Sequence, residues 1–138
     1  MTRINVVAPG ELSRQHLVAE YRELPRIFGL VRNAIERGEK PDPSEIPAYT
    51  LGRGHVRFFY PRLAFLADRQ AALVAEMIRR GYSPGFTTPM IEVHADIPRE
   101  WWGDYVVTDQ ALAVNLARIQ ERAANTAKKI SRERRDVP

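Results

Sequence analysis

The 138-residue chain contains no cysteine, which removes disulfides and thiolate metal centres from consideration and suits a reducing compartment. No run approaches eighteen uninterrupted apolar residues, and no basic-then-apolar segment opens the sequence. The expectation is a soluble, cytoplasmic protein with neither a membrane span nor a secretory signal. Histidine is scarce: His16, His55 and His94 share no three- or four-residue spacing that would set two imidazoles on one helix face. The acidic residues are scattered as well, so no metal site emerges. The segment LGRGHV, residues 51–56, lacks the Lys-Ser/Thr ending of a phosphate loop and precedes no strand-to-helix unit, so Gly52 and Gly54 read as turn formers. Repeats and low-complexity tracts are missing. Only VRFFY, residues 56–60, has strand-like composition, and one such run without a partner makes no sheet.

What is present is helical periodicity. Leu17, Tyr21, Leu24, Phe28, Val31 and Ile35 recur at three- and four-residue spacing, which predicts an amphipathic helix from about Ser13 to Arg37, closed by Gly38. Pro25 falls inside it and predicts a kink between Tyr21 and Arg26. Glu20 intrudes at the edge of the apolar stripe and needs a partner or solvent. Leu63, Leu66, Gln70, Leu73, Val74 and Met77 predict a second helix from about Pro61 to Arg80, before Gly81. A third starts at Thr108 or Asp109, with Leu112, Leu116 and Ile119 toward the core. Residues 39–54 and 82–104, rich in proline and turn formers, read as loops. The expected fold is all-α: one compact domain over residues 1–138, with three main helices joined by long irregular loops and a basic tail at about 123–138. Loops that long in so small a domain usually serve function.

Charge is unevenly spread. Residues 1–117 carry fourteen basic and fourteen acidic groups, whereas residues 118–138 carry seven and three, so the whole excess of +4 lies at the carboxyl end. Such a tail reaches a phosphate backbone or is simply a solvated helix end, and composition leaves both open. On the first helix, Gln15, Ala19, Arg22, Glu23 and Arg26, with His16 at the margin, fall within roughly 120° of arc opposite the apolar stripe. Arg22 and Arg26 are like charges one turn apart, unfavourable unless an anion lies between them, which tilts this face toward phosphate over plain solvation. The sequence opens Met-Thr, and a small second residue lets the initiator methionine be removed, leaving the α-amine of Thr2 at the terminus. With a pKa of about 7.7 to 8, roughly a sixth of such an amine is neutral at pH 7, against well under a thousandth of a lysine. A neutral amine attacks electrophilic carbon and forms imines.

The opening MTRIN, the stretch QHLVAEYRELPRIFG, the segment LGRGHVRFFYPRLAFL with the following RQ, the pair Thr87-Thr88, and DIPREWWGDY followed by ALAVNLARIQER resemble the phage pyrimidine-dimer DNA glycosylase/AP lyase family. The likeness is colinear from Met1 to about Arg122. It implies a compact three-helix monomer without cofactor, whose partner is duplex DNA carrying pyrimidine dimers or abasic sites. It also implies the chemistry: excision of the 5′ base of a cyclobutane pyrimidine dimer through an imine on Thr2, then strand cleavage by β-elimination, with the base opposite the lesion turned out. By position, Thr2 would be the nucleophile and Glu23 the carboxylate beside it. Arg3, Gln15, His16, Arg22 and Arg26 would line the lesion site with Thr87 and Thr88 among the DNA contacts, and Arg118 and Arg122 would touch the backbone from the third helix. After Arg122 the chain departs from the family's aromatic, lysine-bearing tail and has no aromatic residue beyond Tyr105. The alternative reading is a non-catalytic nucleic-acid-binding helical domain that keeps the basic face.

Overall fold

Ser13 opens the first helix. Its side chain accepts a hydrogen bond from the His16 backbone N–H at 3.2 Å and caps α1 (Arg14–Glu23) in the computed structural model, which describes residues 3–135. Pro25 has no N–H to give the Tyr21 carbonyl four residues back, and there the chain bends into α2 (Pro25–Glu36). Leu24 keeps helical torsions at the junction (φ −56°, ψ −44°), so the predicted long helix is kinked, not unwound. The freed Tyr21 carbonyl accepts from Gln70 Nε2 at 3.2 Å, which makes the kink a point of attachment to another helix.

Two single-turn helices, α3 (His55–Phe58) and α5 (Met90–Val93), punctuate the loops on either side of α4 (Leu63–Arg79), and α6 (Asp109–Arg135) closes the fold. Two 3-10 turns, Pro9–Glu11 and Arg99–Trp101, complete it. Gly38 and Gly81 terminate α2 and α4 alike: each takes a left-handed φ, +82° and +85°, and the following N–H reaches back five residues, Glu39 to Ala34 and Tyr82 to Met77. Thr108 is the N-cap of α6, its Oγ1 accepting from the Ala111 N–H at 3.0 Å. Among the described residues no helix is long and apolar enough to cross a membrane.

The core lies where α1, α2 and α4 meet, with Leu17, Leu24, Phe28, Val31, Leu66 and Leu73 all buried. No strand forms among the described residues beyond an isolated bridge between Arg62 and Trp102, so the class is all-α. VRFFY, strand-like in composition, forms instead the end of α3 and the turn after it. Phe58 and Phe59 bury completely there, among the rings of Tyr49, His55, Phe65 and Tyr105. One expectation needs correcting at α6. Leu112 and Ile119 do pack on the core, but Leu116 is 40% exposed, while Ala111 and Asn115 are buried in its stead. The face that α6 presents inward is set by what Asn115 binds.

Candidate active site

Residues 4–7 are buried but form no regular structure, so their backbone groups lack the partners that a helix or sheet would supply. Side chains take over that role. The Ile4 N–H donates to His55 Nε2 at 2.8 Å, and its carbonyl accepts from the Tyr49 hydroxyl at 2.9 Å. The N–H groups of Val6 and Val7 both donate to Asn115 Oδ1, at 2.7 and 3.2 Å, and Arg69 donates to the Val7 carbonyl. Asn5 joins the network through its side chain, accepting from Asn115 Nδ2 and donating to Glu20 Oε1, each at 2.8 Å. Glu20, the polar intruder in the apolar stripe, finds its partner in Arg69. The guanidinium grips both carboxylate oxygens at 2.7 and 3.0 Å, with the two side chains 1% and 6% exposed. Burial of this pair is tolerable because each guanidinium nitrogen and each carboxylate oxygen has a hydrogen-bond partner, Nη1 in the Val7 carbonyl and Oε1 also in Asn5.

This tethered segment forms one wall of an open cleft of about 320 Å³. Gln15, His16 and Glu23 of α1 line a second wall, Leu51 and His55 a third, and Arg118 and Arg122 of α6 a fourth. Positive charge converges on it. Burial lowers the Arg3 pKa from its ordinary value, and the Arg122 and Arg118 guanidiniums lower it further. Burial likewise pushes the His16 imidazole down, helped by Arg3 and Arg122. Like charges held around one cavity are relieved by an anion, and phosphate suits guanidinium geometry. Against them stands the Glu23 carboxylate, whose Oε2 accepts from Arg26 Nη1 at 2.9 Å. A basic mouth beside a carboxylate fits a substrate with a phosphodiester backbone and a centre that becomes cationic during reaction.

The structure thus brings Arg3, Gln15, His16, Glu23, Arg118 and Arg122 to one cleft, although 119 residues separate its first and last members. Arg26 joins it only through Glu23, and its side chain is 70% exposed. Arg22 is exposed on α1 and does not line the cleft. Thr87 and Thr88 line a different depression, beside Val74, Ile78, Phe86 and Met90. Thr2 lies outside the described residues. Sequence reasoning missed Asn5, Tyr49, His55 and Asn115, the residues that hold the amino-terminal segment. Glu20 was the one legible sign that something polar was buried near it.

The family model for pyrimidine dimer DNA glycosylases matches residues 1–90. That span takes in the tethered segment, α1 with Glu20 and Glu23, the Pro25 kink, and α3 and α4 with His55 and Arg69; α6 follows it. With about two thirds of its length matched, the chain belongs to the pyrimidine dimer DNA glycosylase family.

Proposed function

We propose that this DNA repair glycosylase is bifunctional: it excises the 5′ base of a cyclobutane pyrimidine dimer through an imine on the Thr2 amine and then cuts the strand as an AP lyase. The observation that carries the reading is the shared cleft of Arg3 and Glu23. Adjacent Cα atoms lie about 3.8 Å apart, so the amine of a chain starting at Thr2 begins within one residue of that cleft. In the first step the neutral amine gives its lone pair to C1′ while the glycosidic bond breaks and its electron pair leaves with the base. Positive charge develops on the sugar, where the Glu23 carboxylate stabilises it. The nitrogen then gives up a proton, and opening of the C1′–O4′ bond, with O4′ taking a proton up, gives the iminium. Loss of a C2′ proton, for which Glu23 is the acceptor in this scheme, then forms the C2′–C3′ double bond and expels the 3′ phosphate.

The surrounding groups support these steps. Arg3, Arg118 and Arg122 offer charge to the flanking phosphates, and positive charge near an amine favours its neutral form. A dimer already weakens stacking and pairing, which lowers the cost of opening the duplex at the lesion.

Borohydride reduces an imine to a stable secondary amine, so a covalent complex on abasic duplex is the direct test. The processed chain traps; a chain extended by one residue before Thr2, or one whose terminal amine is dimethylated, does not. Undiminished trapping with the extended terminus removes Thr2 from the mechanism. No trapping by the processed chain, with binding intact, removes the imine and the lyase step, and loss of dimer excision as well favours the non-catalytic nucleic-acid-binding domain.

A further inference from the structure

Ile4 is gripped at both of its backbone polar groups by His55 and Tyr49, whose rings meet edge to face 5.5 Å apart and are only 3% and 7% exposed. An apolar ring in either place would leave the Ile4 N–H or carbonyl buried without its partner, so the two polar atoms fix this residue's backbone as well as fill space. The Ile4 N–H can only donate, which requires a bare Nε2 on His55. In the neutral ring the proton is then on Nδ1, where it meets the Thr50 carbonyl at 2.8 Å. The loop carbonyl sets the tautomer, and the tautomer sets the grip.

We infer that His55, kept as the Nδ1–H tautomer by Thr50 and assisted by Tyr49, is the positioning residue for the amino-terminal nucleophile, fixing Ile4 so that the chain before it is delivered to the cleft. The inference rests on the proposed reading of the Thr2 amine as nucleophile. Two residues beyond a fixed Ile4 span at most about 7 Å, so little uncertainty is left in where the terminus reaches. A loose anchor spreads it, and a misplacement of about 1 Å costs on the order of a hundredfold in a reaction that depends on approach geometry. A protonated His55 would set donor against donor. Burial opposes that state and outweighs the Thr50 carbonyl, which favours it, and Arg3 opposes it further. The other charged or titratable groups on the walls of the same cleft are His16, Glu20, Glu23, Arg118 and Arg122.

His55→Leu removes the acceptor while keeping apolar volume, whereas His55→Gln returns an amide oxygen to the same side. Single-turnover borohydride trapping on saturating abasic duplex is measured for each, with duplex affinity and thermal midpoint alongside. His55→Leu is expected to trap at least about tenfold more slowly with nearly parental affinity, and His55→Gln to recover most of the rate. The long-range proton–nitrogen spectrum of the unsubstituted protein is expected to show the Nδ1–H tautomer. Parental trapping by a folded His55→Leu protein, or equal deficits in the two variants, overturns the proposal. So does an Nε2–H tautomer, which is readable even where His55→Leu does not fold. Should the unsubstituted protein itself trap nothing, the amine reading fails and the positioning role with it. A retained Nδ1–H tautomer then distinguishes that outcome from a failed grip.

Discussion

Glu23 is the residue on which the proposed chemistry turns. Its side chain is about one-third exposed, pairs with Arg26, and shares the cleft with Arg3, so it is open to a substrate in that cleft without being part of the core. Glu23→Gln keeps the shape of the side chain and removes its charge. Base excision is expected to fall by about a hundredfold or more, the usual effect of deleting one electrostatic element of a transition state, while the thermal midpoint and duplex affinity stay near parental. Single-turnover excision on a duplex with one defined dimer measures it, and equal rates would reduce Glu23 to a surface carboxylate. Glu20, three residues earlier, is the opposite case. Both sit on α1, and helical phase shows that Glu20 lies near the apolar side. It cannot show that Arg69 and Asn5 wait there, because those partners are 49 and 15 residues away.

At the scale of elements, α6 is the piece whose inward face the sequence reads only in part. Leu112 and Ile119 pack inward as their spacing predicts, but Leu116 does not, and the buried polar contact is Asn115, which reaches residues about 110 positions earlier. Local periodicity ranks an asparagine as solvent-facing because it has no access to a backbone segment that must itself be satisfied. Where caps and punctuation are local, the reading succeeds: Ser13, Pro25, Gly38, Gly81 and Thr108 each mark a boundary or bend through their own torsions or hydroxyls. Asn115→Leu tests the difference. It leaves the N–H groups of Val6 and Val7 buried without their acceptor, at about 1–3 kcal/mol for each such group. A loss of about 2–4 kcal/mol in urea unfolding is expected, together with slower trapping because the amino-terminal segment is freed. A variant as stable as the parent would mean that α6 docks by apolar contact after all.

Across the whole molecule, two groups of basic residues stand out, one at the cleft and one toward the carboxyl end. Arg3, Arg118 and Arg122 meet at the cleft, whereas Lys128 and Lys129 are exposed farther along α6, and Arg132, Arg134 and Arg135 follow in sequence. With no aromatic residue after Tyr105, this end has charge for phosphates but no π face to stack on a base. Each phosphate neutralised contributes about 0.9 to the slope of log affinity against log salt, regardless of whether the duplex is damaged. Truncation after Arg122 therefore separates holding from chemistry. It is expected to weaken binding to damaged and intact duplex by a similar factor and to flatten the salt dependence by roughly two to four units of slope. Trapping on saturating abasic DNA should persist, since the cleft and the Asn115 tether remain. Binding isotherms at several salt concentrations, run on matched duplexes with and without a dimer, measure both quantities. If the truncated chain loses its preference for the dimer but keeps the parental slope, the carboxyl end reads the lesion, and charge alone does not account for it.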